Sequence, residues 1–77
     1  MNTVPMNTLK IGEKAEIKSM NITGSMRQRL RDIGLIEGTL IECVLKSPKN
    51  DPVAYNIRGA IIALRNCDSK EIMICKI

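Results

Sequence analysis

A small, mainly β barrel or sandwich of about five strands, with one short α-helix inserted after the first strand, is the fold class this sequence predicts. Three observations predict it. Short stretches of alternating apolar and polar residues follow one another closely, Gly- and Pro-marked breaks separate them, and a single stretch switches to a helical period. At 77 residues the chain is long enough for one core and too short for two, so residues 1–77 are expected to form one domain. A sheet of so many short strands is expected to close on itself, which leaves few edges.

The first strand is read from EKAEIKSM, Glu13 to Met20. Ala15 and Ile17 fall on one face there, and Lys14, Glu16 and Lys18 on the other. Upstream, Asn7 is placed to cap a short turn containing Leu9, and Gly12 to turn the chain into the strand. Ser25 followed three residues later by Gln28 reads as a capping box, so the helix is expected to begin there. Within MRQRLRDIGLIEGT, Met26, Leu30 and Ile33 share one narrow face, Arg27 and Arg31 form a ridge on its flank, and Gln28 and Asp32 look away. Gly34 supplies the left-handed conformation that ends a helix, with Leu35 packing back on Leu30 in a Schellman motif. A helix this short does not persist alone, so its apolar face is expected to dock on the sheet.

Gly38 then closes a tight turn into TLIECVLKS, a strand expected to put Ile41, Cys43 and Leu45 on one face. The polar loop SPKNDP leads to VAYNIR, with Val53, Tyr55 and Ile57 on one side. Gly59 marks a tight hairpin into AIIALR. NCDSK makes a polar turn, or one helical turn, before the last strand EIMICKI.

Composition removes several function classes. A single Tyr with no Trp or Phe leaves no aromatic platform for stacked bases or polyproline. The net charge of +4 is spread evenly, with six basic and four acidic residues up to Gly38 and the same numbers after it. A chain that neutralises many phosphates concentrates its Lys and Arg, so no nucleic acid is expected as partner. There is no His, and the three cysteines fall in no CxxC spacing. Cys43 and Cys75 read as small core residues and Cys67 as exposed, with neither a disulfide framework nor a metal site expected. No apolar stretch approaches the roughly 20 residues that span a bilayer, and MNTVPMNTLK lacks a signal-peptide core, so a cytoplasmic protein without direct membrane insertion is expected.

Gly34, Gly38 and Gly59 are explained by turns that need positive φ. No Gly-rich loop runs from a strand into a helix N-terminus, so no nucleotide or other cofactor is expected. The carboxylates are scattered and no nucleophile arrangement is recognisable, which argues against an enzyme. Arg27 and Arg31 are either a solvated helix flank or a ridge that meets acidic groups on a partner. Leu35 and Ile36 are two large aliphatics after a helix-ending glycine; Leu35 packs on Leu30, and Ile36 either caps the barrel or joins an exposed docking patch. Arg65 is expected to satisfy backbone carbonyls of the polar turn that follows it. The candidate partner-binding set is therefore Arg27, Arg31, Leu35 and Ile36, and the structural set Leu30, Gly34, Gly38, Gly59 and Arg65.

The ordered pattern resembles the FeoA family, the small proteins of bacterial ferrous iron uptake. It runs from Leu9-x-x-Gly12 through RQRLRDIGLIEGTLIEC and the loop SPKNDP to YNIRGAIIALR and EIMI. Its specific parts are Arg29-Leu30 with Asp32, Gly34-Leu35 and Gly38, then Pro52, Ile57, Gly59, Leu64 and Arg65, and the closing Ile72 and Ile74. The resemblance spans about Met6 to Ile77. It implies an SH3-like β-barrel and a partner, the membrane permease FeoB with its cytosolic GTP-binding domain, whose transport this protein would modulate; a homo-oligomer is an open alternative. Two rival readings stand beside it: a nucleic-acid-binding small barrel, and a freestanding peptide-binding domain related to the C-terminal domain of iron-dependent repressors.

Overall fold

Six strands, two helices and one 3-10 turn make up the protein in a computed structural model that describes residues 3–77. The strands are β1 (Val4–Pro5), β2 (Lys14–Met20), β3 (Leu40–Lys46), β4 (Val53–Ile57), β5 (Ala60–Leu64) and β6 (Ile72–Lys76). Helix α1 (Gly24–Asp32) lies between β2 and β3, and α2 (Asn66–Ser69) between β5 and β6. All strands join one antiparallel sheet in the order β1-β6-β2-β3-β4-β5.

Alternation explains the inner face. Ala15, Ile17, Ile41, Cys43, Val53, Tyr55, Ile57, Ile72 and Ile74 are all buried, as a period of two on half-buried strands requires. Met6, Leu9, Ile22, Leu30 and Leu35 close the core from outside the sheet.

Several expectations need correction. The chain has a sixth strand, Val4–Pro5, which pairs with Ile74 and Met73, so the helix follows the second strand. The sheet does not close as a barrel: β1 and β5 end the strand order and do not pair. Strand β1 is two residues long and one of them is Pro5, which has no N–H to offer a further neighbour.

Leu45 does not join Ile41 and Cys43 on the inner face but is 63% exposed. The β3–β4 register shifts between Cys43 and Leu45, so Val44 is an extra residue and the strand beyond it is turned over. Helix α1 begins at Gly24 with Thr23 as N-cap and no side-chain capping bond, so the Ser25–Gln28 box is not formed; Gln28 Nε2 donates instead to Asp32 Oδ1 at 3.0 Å. Asn7 lies inside the 3-10 turn rather than capping it, and Thr8 Oγ1 donates to Pro5 O at 2.7 Å. Cys75 is half-buried rather than core.

Candidate docking site

The site is built at the C-terminal end of α1. Ile33 N–H donates to Arg29 O, Gly34 N–H to Arg31 O at 3.0 Å and Leu35 N–H to Leu30 O at 2.8 Å. The last two bonds are the pair that defines a Schellman motif, and Leu30 and Leu35 are both buried, supplying its apolar contact. Gly34 has φ +97°, which only glycine adopts without strain.

Four residues on, Gly38 N–H donates to Ile17 O and Ile17 N–H to Thr39 O, so the turn is stitched to β2. Gly38, at φ +90°, occupies the third position of a turn closed by Thr39 N–H to Ile36 O. Sequence reasoning missed Thr39. Its buried hydroxyl donates to Gly34 O at 3.0 Å and accepts from Ile36 N–H at 3.2 Å, clamping the two ends of the Gly34–Thr39 connection together.

This clamp presents the candidate partner-binding residues around one shallow cleft of about 70 Å³, lined by Met20, Arg27, Arg31, Leu35, Ile36 and Glu37. Arg27 and Arg31 are exposed, one turn apart on α1, and Arg27 Nη1 donates to Met20 O at 3.4 Å. Among the described residues, neither guanidinium has a carboxylate within 4 Å. Ile36 is 45% exposed, so it does not cap the core. Leu35 is fully buried and forms the cleft's floor, which makes it a support for the surface and not a contact on it.

The structural set divides. Leu30, Gly34 and Gly38 hold the helix end as described, and Gly59 (φ +90°) with Arg58 (φ +53°) forms the two-residue turn between β4 and β5. Arg65 departs from expectation. Its guanidinium is exposed and bonds no carbonyl among the described residues, whereas its backbone carbonyl accepts from Asp68 N–H and Ser69 N–H at the start of α2.

Among the described residues, no group of three His, Cys, Asp or Glu side chains comes together to hold a metal ion, and no helix is long and apolar enough to cross a membrane. Burial raises the Cys43 thiol above its ordinary value.

Comparison with known proteins adds to this geometry. A family model described as FeoA domain matches residues 4–76. The chain is 30% identical over 69 residues to the Fe(2+) transport protein A/Fe(2+) transporter FeoB fusion protein of Porphyromonas gingivalis, a match that covers 90% of this chain and 8% of the fusion protein. The solution structure of FeoA from Chlorobium tepidum superposes with a TM-score of 0.91 at 27% identity, covering 96% of this chain and 70% of that one. FeoA from Stenotrophomonas maltophilia, solved with zinc and described as a prokaryotic SH3 domain protein, superposes with a TM-score of 0.82 at 21% identity over 94% of this chain and 89% of that one. The fold is thus SH3-like, with its sheet left open between β1 and β5.

Proposed function

This chain belongs to the FeoA domain family, which is linked to Fe(2+) transport, and from that membership we propose that it is a non-catalytic accessory protein that docks on the cytosolic side of FeoB and modulates ferrous iron uptake. The observation that carries the reading is the fusion protein, in which a segment like this one and a FeoB transporter share a single chain. Covalent fusion sets a high local concentration of two modules, an arrangement that serves modules that act on each other. The chain spans only 8% of that relative, so the transport step itself belongs to the remainder.

The surface offered for docking is the cleft of Arg27, Arg31 and Ile36. An exposed aliphatic beside two guanidiniums that have no carboxylate partner among the described residues suits a partner surface that joins an apolar contact to carboxylates, because each Arg fork can bind a carboxylate in bidentate fashion. Modulation requires that docking favour one FeoB conformation, since a ligand shifts an equilibrium only by its differential affinity for the two states. The test is FeoB nucleotide hydrolysis and iron uptake measured with and without saturating protein. A change in either supports modulation; no change in both refutes it.

A further inference from the structure

On the opposite flank of α1 lies a larger groove, about 330 Å³, between the helix and strand β5. We propose that this groove receives an extended, acidic segment of a partner protein, which adds to the sheet as a strand along β5 and sets a carboxylate against Arg29 and Arg65. The inference goes beyond the docking cleft and does not rest on it, since the two surfaces share no residue.

The backbone points to a strand. Strand β5 is last in the sheet and, among the described residues, pairs only with β4. In the hairpin, Ile57 and Ala60 flank the Arg58–Gly59 turn and form its closing pair, so the ladder's alternation turns the N–H and C=O groups of Ile61 and Ala63 away from β4. No backbone or side-chain group elsewhere among the described residues bonds them. The sequence AIIAL carries no charge and no proline, the usual devices that guard an edge from pairing. An edge left open in this way is a template for strand addition.

The walls point to alternating side chains. Of the apolar stripe on α1, only Leu30 is buried; Ile33 is 38% exposed and Met26 half-buried, and both border the groove opposite Ile62. A strand laid on β5 directs every second side chain into that space and finishes the burial that the helix leaves incomplete.

The rim gives the charge. Arg29 and Arg65 both line the groove, and among the described residues neither has a carboxylate within 4 Å and Asp68 is the one acid there. Pairing with a second copy is disfavoured by the same charges. An antiparallel β5–β5 pair centred on Ile62 sets Arg65 of one copy opposite Gly59 and one residue from Arg58 of the other, twice, with no acid in either strand to offset them.

The test is a display selection of random decapeptides on the full chain, followed by amide chemical shifts of the recovered peptides' complexes. Expected are peptides rich in Asp or Glu with alternating β-branched residues, which shift Ile61 and Ala63 and lose at least about tenfold in affinity against the Arg29→Glu/Arg65→Glu variant. Both side chains are exposed and, among the described residues, bond nothing that holds the fold, so that variant is expected to fold. Ala63→Pro, which removes one outward N–H at an edge position where proline is tolerated, gives an independent second loss. Recovery of no binder, of binders without acidic enrichment, or of binders that leave β5 unshifted would overturn the proposal.

Discussion

A Cβ placed on Gly34 would lie 2.6 Å from Arg58 Cδ, so the end of α1 and the β4–β5 turn meet at a contact where the exposed Arg58 side chain must shift to admit a larger residue. Gly34 is constrained chiefly by its φ of +97°, and the flexible Arg58 side chain lying over it adds a smaller demand. We expect Gly34→Ala to destabilise the protein by about 1–2 kcal/mol from the left-handed backbone alone, with the crowding of Arg58 added. Arg58→Ala in the Gly34→Ala background should return only the crowding part, because it leaves φ unchanged. Urea titrations of the two single variants and the double variant separate the terms; full recovery in the double variant would show that the contact, and not the backbone, sets the cost.

That relationship also marks the limit of what the sequence made legible. The Schellman end of α1 was readable because Leu30, Gly34 and Leu35 sit within six residues and obey a local hydrogen-bond rule. The inner faces of β2, β4 and β6 were readable from alternation. Leu45 was not, because an extra residue at Val44 changes the face of everything after it and bulges leave no mark in a binary pattern. The Val4–Pro5 strand is too short to show a period and forms only because β6 offers it an edge. In the candidate site, Arg27, Arg31 and Ile36 were named from spacing and do share one cleft, but the groove at β5 was hidden. It joins residues near position 29 to residues near position 65, a proximity that no local pattern carries.

Thr39 offers a second test of the helix-end clamp. Thr39→Val keeps the volume but leaves Gly34 O and Ile36 N–H without their side-chain partner, and a cost of about 1–3 kcal/mol follows from stranding part-buried polar groups. Thr39→Ser keeps the hydroxyl and gives up one methyl group, so it should cost clearly less. Equal losses in the two variants, read from thermal or urea unfolding, would mean that the methyl packing rather than the hydrogen bonds matters.

Tyr55 makes stability sensitive to alkali. Its hydroxyl is fully buried without a hydrogen bond of good geometry, and burial pushes its pKa up to about 12, with Ser69 pulling more weakly the other way. A group whose folded pKa lies above its unfolded value of 10.0 contributes stability that is complete below pH 10 and lost as pH rises toward 12. The loss reaches about 2–3 kcal/mol at the top of that window. Because Tyr55 is the only tyrosine and there is no Trp, near-ultraviolet tyrosinate absorbance reports it alone. Tyr55→Phe should remove this alkaline limb and leave stability at neutral pH within about 1 kcal/mol, since the hydroxyl it deletes is unsatisfied. A tyrosine that titrates near 10 while the protein stays folded would contradict the burial argument.

Docking on FeoB is tested most directly by titrating the labelled protein against detergent-solubilised FeoB at two salt concentrations, alongside Ile36→Glu and Arg27→Glu/Arg31→Glu. Saturable binding is expected, weakened by Ile36→Glu without loss of folding cooperativity and weakened further by salt in proportion to the arginine contacts. No binding at roughly 100 μM FeoB, a free energy weaker than about −5.5 kcal/mol, would contradict docking, and full affinity in both variants would contradict the Arg27–Arg31–Ile36 cleft as its site.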